Sequence, residues 1–343
     1  MTSMRSSILS KALFGVVATS LVLTGCSTSN DSGGAKSGEK TTGKGGNGKH
    51  VTIAFSAPAA DHGWLAALTK NAKNQAGTYK DITFISTEGA ADVAAQDAQV
   101  ESLNARKPDV LVILPQDGAA LTQVAQQAMA AGIEVVNVDR EFTSPSAYRT
   151  LIGGDNYGIG QQAGNYIADQ LGCKGNVVEI QGIAGISVTT DRSKGFADAI
   201  KKCHGALKIV AQQPADFAPD KGQTVMASIL QAQKSIQAVY THDDDMAQGV
   251  VAAIKEAGRE KGLFVTGAGG SKQAMDAIKA GGIYRATFLY NPIMSASAIS
   301  IARLIGQEAG FTELREPGVP SKIILPATQV TKDNVDKVYD LAY

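Results

Sequence analysis

Acids, arginines and aromatic rings recur in this chain directly after short apolar runs. Asp139-Arg140 follows the run VVNV, and Asp191-Arg192 follows the loop after the run VVEIQ. When such runs form parallel strands, the loops after them gather at one edge of the sheet. Carboxylates accept hydrogen bonds from hydroxyl groups, guanidinium groups donate several, and an aromatic ring covers a C–H face. This combination predicts a site for a polyhydroxylated small molecule such as a sugar.

The elements that position these residues alternate between strands and helices in two successive series. The first series runs from Val51 to Ile152 and the second from Gly158 to Leu289. Strands that alternate with helices of about 10–15 residues predict a parallel, doubly wound α/β sheet. Two such series predict two lobes, each with its own core, and a cleft between them.

Two helix starts in the second series carry site candidates. The loop Gly182–Thr190 is rich in small residues, which let a ligand approach the backbone. We expect the next helix to open at Asp191, and a helix N-cap is the alternative role for this acid. We also expect Asp244 to cap a later helix that begins at Met246.

Several cofactor sites are excluded by spacing. His242 precedes three adjacent acids, but neighbouring acids point in different directions and no further ligand follows at calcium-loop spacing, so we expect no metal. Gly158–Ala163 matches a loose dinucleotide pattern, yet Glu179, the expected ribose ligand, falls inside a predicted strand instead of at its end. No phosphate-binding GxxxxGK[ST] motif and no GxSxG motif occurs. We therefore expect no cofactor.

The charge balance gives no sign of nucleic-acid binding, and the amino terminus points to export. Lys plus Arg and Asp plus Glu are both 32, so no basic footprint for nucleic acid exists. Arg5 and Lys11 precede an apolar run that is too short to span a bilayer of ~30 Å. That run ends in Leu-Thr-Gly-Cys26, which matches a bacterial lipobox; the alternative is an ordinary secretory peptide with an incidental cysteine.

Five segments carry a family resemblance and agree with it in order and spacing: VDR, EIQG, DRSKGF, QPADF and DDDMAQG. With them, Val51–Val330 resembles the ribose-type periplasmic sugar-binding proteins of bacterial ABC importers, above all their galactofuranose-binding branch. The resemblance implies two doubly wound parallel-sheet α/β lobes, the type I periplasmic binding protein fold. It also implies a hinge of three crossings, near Asp155–Asn156, Tyr290–Asn291 and Lys322–Ile324.

The resemblance divides the chain. Residues 1–25 would be a lipoprotein signal peptide, cleaved before Cys26, whose sulfur would carry a diacylglycerol. Residues 26–49, rich in Gly, Ser and Lys, would form a disordered tether. Residues 50–155 with 291–322 would form the N-terminal lobe, and residues 156–290 with 323–343 the C-terminal lobe.

The resemblance also assigns ligand-binding roles. It implies that Asp139-Arg140 binds vicinal hydroxyls from the first lobe and that Asp191-Arg192 binds the ligand from the second. It further implies that Trp64 stacks on the sugar ring and that Phe217 faces it; ordinary core packing is the alternative for both. The full set of expected ligand-binding residues is Asp61, His62, Trp64, Asp139, Arg140, Asp191, Arg192, Phe217, Asp243 and Tyr290.

Cys173 and Cys203 each precede a predicted strand, so both are expected at the base of one sheet. Outside the cytoplasm such a pair favours a disulfide. Two buried free thiols are the alternative.

We therefore expect a monomeric, lipid-anchored solute-binding protein that passes a sugar or polyol to an ABC permease and its ATPase subunits. A sensory module that feeds a chemoreceptor or histidine kinase is an alternative. A sugar-acting enzyme is another, but hydrolysis needs two carboxylates that flank one bond. Asp139 and Asp191 each neighbour an arginine, which should keep both ionised and remove the general acid.

Three departures from the ribose-type pattern bear on specificity. Gly269 stands where those proteins carry Asp, Thr190 where they carry Arg, and His62 where they carry Asn. Lost charged hydrogen bonds weaken ribose, and the smaller side chains would leave room for a larger ligand. We expect a hexose, in particular a furanose such as galactofuranose, or a polyol to bind more tightly than ribopyranose.

Overall fold

The computed structural model describes residues 48–311 and 318–343. The predicted signal peptide, the lipidation site Cys26 and almost all of the predicted tether lie outside these residues. Among the described helices, none has the length and apolar character that crossing a membrane requires.

The first series of elements matches the predicted alternation. In chain order it comprises β1 (Val51–Ser56), α1 (Gly63–Gly77), β2 (Ile82–Ser86), α2 (Val93–Ala105), β3 (Val110–Ile113), α3 (Gly118–Ala130), β4 (Glu134–Val138) and β5 (Thr150–Gly154). The second series comprises α4 (Asn156–Gln170), β6 (Gly175–Gln181), α5 (Ser187–Ile200), β7 (Leu207–Pro214), α6 (Pro219–Ala232), β8 (Ala238–Thr241), α7 (Asp244–Glu256), β9 (Phe264–Thr266), α8 (Lys272–Ala280) and β10 (Tyr284–Phe288). The chain then forms α9 (Met294–Gly306), β11 (Lys322–Leu325), β12 (Gln329–Val330) and α10 (Val335–Val338).

These strands form two six-stranded sheets, one for each lobe. The first sheet has the order β11-β5-β4-β3-β1-β2 and is parallel throughout. The second has the order β12-β10-β9-β8-β6-β7, and only the short edge strand β12 is antiparallel. The central strands β3 (VLVI) and β8 (AVYT) are buried at every position because helices cover both faces of each sheet.

The third crossing lies later than predicted. The sequence placed it near Lys322–Ile324 and began the last part of the C-terminal lobe at residue 323. Instead, β11 pairs in parallel with β5 along its whole length, from Lys322 opposite Leu151 to Leu325 opposite Gly154. The chain therefore completes the edge of the first sheet before it crosses, and it enters the second sheet at β12.

Two predicted helix starts are wrong. Helix α5 begins at Ser187, with Ile186 at its N-cap, so Asp191 lies one turn inside the helix and does not cap it. The β-branched sequence SVTT hid this first turn, in which Val188 and Thr189 are buried. Helix α7 is capped by Asp243 and not by Asp244; the Asp243 carboxylate accepts from the amides of Asp245 and Met246 at 2.7 and 3.1 Å.

Cys173 and Cys203 are joined in the structure, with their Cα atoms 5.0 Å apart. Cys173 follows α4 and Cys203 follows α5, and each precedes a strand of one parallel pair, β6 and β7. The bridge therefore lies within the second lobe, at the end of the sheet away from its carboxyl edge.

Candidate functional site

A small cavity lies between the carboxyl edges of the two sheets. Its walls come from both lobes and from the crossing after β10. They comprise His62, Trp64, Asp139, Arg140, Val188, Arg192, Phe217, Asp243, Ala268, Gly269 and Tyr290. Eight of the ten ligand-binding residues expected from the sequence are thus brought together in one place.

The first-lobe wall presents Asp139 and Arg140 at the end of β4. Asp139 has a left-handed backbone (φ 64°), and Asn137 fixes the turn by donating to the Arg140 carbonyl at 3.0 Å. The Arg140 guanidinium donates to the Gln116 carbonyl at 2.7 Å and lies 3.8 Å from the Asp139 carboxylate. Its buried Nε has no hydrogen-bond partner among the described residues. That N–H is available to a bound hydroxyl group.

The second-lobe wall presents Arg192, which is 3% exposed. Its Nε donates to the Asn156 side-chain oxygen at 2.9 Å, and one terminal nitrogen donates to the His242 carbonyl. The guanidinium also lies over the ring of Tyr290, 4.7 Å from its centroid. These three contacts fix the plane of the guanidinium, and a fixed fork is what vicinal hydroxyls require.

Aromatic rings close two sides of the cavity. Trp64 and Tyr290 stack with centroids 5.4 Å apart and planes at 26°, and the Trp64 indole donates to the Tyr290 carbonyl at 2.7 Å. Across the cavity, the ring centroids of His62 and Phe217 lie 6.1 Å apart, and the ring planes are inclined at 30°. Phe217 packs against Gly182, where a Cβ would lie 2.0 Å from the ring, so a larger residue there would displace Phe217. Trp64 and Phe217 are therefore buried and also line the cavity.

Tyr290 links the two charged walls. Its hydroxyl donates to the Asp139 carboxylate and accepts from the Asn156 amide at 3.2 Å. Gly154 leaves room for the ring, since a Cβ at that position would lie 2.1 Å from it. The residue at the second crossing thus contacts the acid of one wall and supports the arginine of the other.

Asp243 is the buried acid of the second wall, 5% exposed. Burial, opposed by the positive charge of His62 and reinforced by the charges of Asp245 and Asp244, raises its pKa to about 7. The adjacent Asp244 points away from the cavity. Its carboxylate accepts from the amides of Gly270 and Ser271 at 2.6 and 2.8 Å. It therefore fixes the glycine-rich loop that lines the cavity.

The family of the chain follows from comparison with known proteins. The sequence model of the family described as periplasmic binding protein domain matches residues 53–308. The chain belongs to this family.

Two relatives in the family match most of the described chain. The ribose import binding protein RbsB of Bacillus subtilis is 34% identical over 234 residues, which is 68% of this chain and 74% of that protein. The galactofuranose-binding protein YtfQ of Escherichia coli is 37% identical over 218 residues, 62% of this chain and 68% of that protein. A crystal structure of a galactofuranose-binding protein matches with a TM-score of 0.76 and 31% identity, covering 84% of this chain and 97% of the other. The predicted resemblance and the predicted fold class are confirmed.

Two expected site residues stand outside the cavity of this family member. Asp61 has a side chain that is 62% exposed, and it reaches the site only through His62, whose Nδ1 lies 2.5 Å from its carboxylate. Although burial lowers it, this bond and the charges of Asp243 and Asp245 raise the pKa of His62. Asp191 is exposed on the second turn of α5. Partial burial and the charge of Glu141 raise the pKa of Asp191.

Sequence reasoning missed three contributors. Val188 and Ala268 line the cavity, and Asn156 orients Arg192 from behind it. Asn156 was visible as part of the predicted first crossing, where a polar residue close to both lobes is a natural support. Val188 and Ala268 carried no signal, because an apolar side chain of modest size has no distinctive chemistry. Among the described residues, no group of three or more metal-ligating side chains comes together.

A buried polar network also lies beneath Arg192. Glu179, placed inside a predicted strand, accepts from His242 at 2.8 Å, from Ser193 at 2.6 Å and from Gln212 at 2.7 Å. Burial opposes ionisation, but these hydrogen bonds, led by that from His242, lower the pKa of Glu179. Burial lowers the pKa of His242 as well. A neutral histidine and an ionised glutamate therefore lie close to Arg192 at neutral pH.

Proposed function

We propose that this protein is an extracytoplasmic solute-binding protein that captures a sugar or polyol and delivers it to an ABC import permease. The observation that carries the proposal is the cavity itself. It combines two arginines, two carboxylates and stacked aromatic rings from two lobes that share a hinge. Family membership and the sugar-binding relatives support the same reading. The word import in the name of the ribose-binding relative favours transport over a sensory role.

The relatives, which are named as binding proteins, also support binding without catalysis. A sugar hydrolase needs a pair of carboxylates on either side of one bond. The pair that the sequence offered, Asp139 and Asp191, is not assembled, because Asp191 is exposed on α5 and does not line the cavity. Asp139 accepts a hydrogen bond from Tyr290 and lies beside Arg140, which suits a fixed acceptor for ligand hydroxyls.

For the ligand we propose a hexose in furanose form, such as galactofuranose, or a polyol. Gly269 lines the cavity without the acid that ribose-type proteins carry there. The expected extra room is smaller than predicted, since a Cβ at Gly269 would lie 2.9 Å from the Tyr343 hydroxyl oxygen. Thr190 is exposed and its hydroxyl donates to the Ile186 carbonyl, so it does not shape the cavity. The lost acid at position 269 and His62 therefore carry the specificity argument.

A calorimetric panel tests both the binding role and the proposed ligand class. The purified protein is titrated with ribose, galactose, methyl β-D-galactofuranoside, arabinose and myo-inositol. We expect a furanoside or a polyol to bind most tightly. Ribose as the tightest ligand would contradict the ligand class and leave the binding role intact. No binding by any sugar or polyol in a broadened panel would contradict the binding role.

We further propose that the protein is anchored by a lipid on Cys26. The lipobox and the short apolar run before it support this reading. Mass spectrometry of the mature amino-terminal peptide should find a diacylglycerol on this sulfur, and a Cys26→Ser variant should leave the membrane fraction. A mature terminus elsewhere with an unmodified Cys26 would contradict the anchor. We expect the released protein to be monomeric by light scattering.

A further inference from the structure

Helix α1 begins at the cleft without a side-chain cap of its own. The first amides of a helix have no partner within the helix and are normally satisfied by the side chain of the N-cap residue. The N-cap of α1 is His62, whose side chain makes no capping hydrogen bond and instead contacts Asp61. The same helix carries Trp64 in its first turn, so its start forms part of the sugar site.

A residue of the other lobe fills the missing role. The Asp245 carboxylate accepts a hydrogen bond from the Trp64 backbone amide, with Oδ2 at 3.3 Å from the nitrogen. Its second oxygen is held within its own lobe by Gln248 at 3.4 Å. Asp245 is 8% exposed, and a Cβ on Gly63 would lie 3.1 Å from its Oδ2, so the carboxylate packs directly against the start of α1.

We propose that Asp245 is a positioning residue that caps helix α1 across the cleft. The contact joins α7 of the second lobe to α1 of the first, so it forms when the lobes close and breaks when they separate. This hydrogen bond therefore favours closure and fixes Trp64 where it would contact the ligand. A carboxylate also suits the partial positive charge of a helix start.

The chain offers a matched control. Asp92 caps α2 by accepting from the Ala95 amide at 2.8 Å, but this cap lies within one lobe and is exposed. Asp92→Ala and Asp245→Ala each remove one carboxylate cap from a first-lobe helix. Only the second should change the behaviour of the cleft.

The first arm of the test uses no sugar. Amide hydrogen exchange is measured by NMR for wild type, Asp245→Ala, Asp245→Asn and Asp92→Ala. We expect Asp245→Ala to speed exchange of the Trp64 amide by about fivefold, as loss of one cap would. Asp245→Asn keeps an acceptor and should fall in between. Asp92→Ala should leave the Trp64 amide unchanged and speed the Ala95 amide.

The second arm rests on the proposed function and uses methyl β-D-galactofuranoside. Asp245→Ala should raise its dissociation constant about fivefold, and Asp92→Ala should not change it. Equal exchange of the Trp64 amide in wild type and Asp245→Ala would overturn the proposal. So would equal affinities of Asp245→Ala and Asp92→Ala for a sugar that wild type binds. If wild type binds no sugar, the proposed function fails and the exchange arm alone decides the cap.

Discussion

The two arginines of the cavity are supported in different ways. Arg140, in the first lobe, donates to carbonyl groups of the loop after β3 in its own lobe. Arg192, in the second lobe, donates to Asn156 at the first crossing and packs over the ring of Tyr290 at the second. The arginine of the first lobe is therefore supported within its own lobe, whereas the arginine of the second depends on the hinge.

This difference couples Arg192, but not Arg140, to the hinge. A change at Asn156 or Tyr290 should disturb Arg192 without moving Arg140. The two lobes also differ in their acids and covalent bonds. Substitutions can test these differences one at a time, beginning with the change that should have the largest effect.

The pH dependence of stability should differ in sign for one acid of each lobe. Folding raises the pKa of Asp243 from 3.8 to about 7, mainly through burial. Hydrogen bonds, above all from Arg303 at 2.8 Å, lower the pKa of Asp81 in the first lobe. A raised acid contributes stability at low pH that is lost as pH rises from 3.8 to about 7; a lowered acid contributes stability that is lost as pH falls below 3.8.

At pH 8, Asp243→Asn should therefore raise the free energy of unfolding, and Asp81→Asn should lower it. Asparagine keeps the capping acceptor of α7, so the first variant changes mainly the charge. Urea unfolding at pH 4, 6 and 8 checks both variants against wild type. A lower stability of Asp243→Asn at pH 8 would show that its ionised form is favoured in the folded protein.

The disulfide sets the second lobe apart from the first. Cys173→Ser with Cys203→Ser should lower the free energy of unfolding by roughly 3–4 kcal/mol on the chain-entropy model, since the bridge spans 30 residues. Hydrogen exchange should quicken in β6 and β7 and stay unchanged in β1 and β3. Two alkylatable thiols in unreduced wild-type protein, found by mass spectrometry, would contradict the bond itself.

Removing the hinge-supported arginine should weaken binding more than any other change at the cavity. Arg192→Ala removes a buried, charged donor, and we expect a loss of about 3 kcal/mol, roughly a hundredfold in affinity. Arg259→Ala is the control, because Arg259 donates only to second-lobe carbonyls such as Leu230 at 3.2 Å and does not line the cavity. Calorimetry with the tightest sugar of the panel distinguishes them. Equal losses would place Arg192 outside the ligand contacts.

Trp64 should contribute somewhat less to affinity. Trp64→Ala removes the ring that stacks on Tyr290 and the indole bond to its carbonyl, and we expect a loss of about 2 kcal/mol. Trp64→Phe keeps a ring and should recover part of it. As Trp64 is the only tryptophan, its fluorescence in wild type should also change when the sugar binds. Unchanged affinity in Trp64→Ala would make it a core residue alone.

The sequence revealed the large-scale order because its signals are local. Apolar runs, glycines and helical periodicity predicted the two α/β series, and the motifs at strand ends predicted eight of the cavity residues. It misplaced Asp191 and Asp244 because both errors concern the first turn of a helix. There, Ser187–Thr190 has β-branched residues that do not mark a helix start, and either of two adjacent acids could serve as a cap.

Contacts between distant segments could not be predicted from the sequence. The link from Asp245 to Trp64 joins residues 181 positions apart, and that from Tyr290 to Asp139 joins residues 151 apart. Neither pair shares a motif, and their meeting depends on how closely two lobes approach. The sequence could therefore predict which residues face the cleft but not which of them touch across it.

The smallest expected effect separates the two roles of Tyr290. Tyr290→Phe keeps the ring beneath Arg192 and removes the hydroxyl that donates to Asp139. The support of Arg192 should then remain intact, and Asp139 should lose the hydroxyl that orients it. A hydrogen bond to a charged acceptor contributes about 1.5 kcal/mol, so we expect affinity to fall about tenfold. Tyr339→Phe is the control, since its exposed hydroxyl bonds Asp276 at 2.8 Å. Tighter binding by Tyr290→Phe would mean that the hydroxyl competes with the sugar for Asp139, and the second crossing would then oppose ligand capture at the acid of the first-lobe wall.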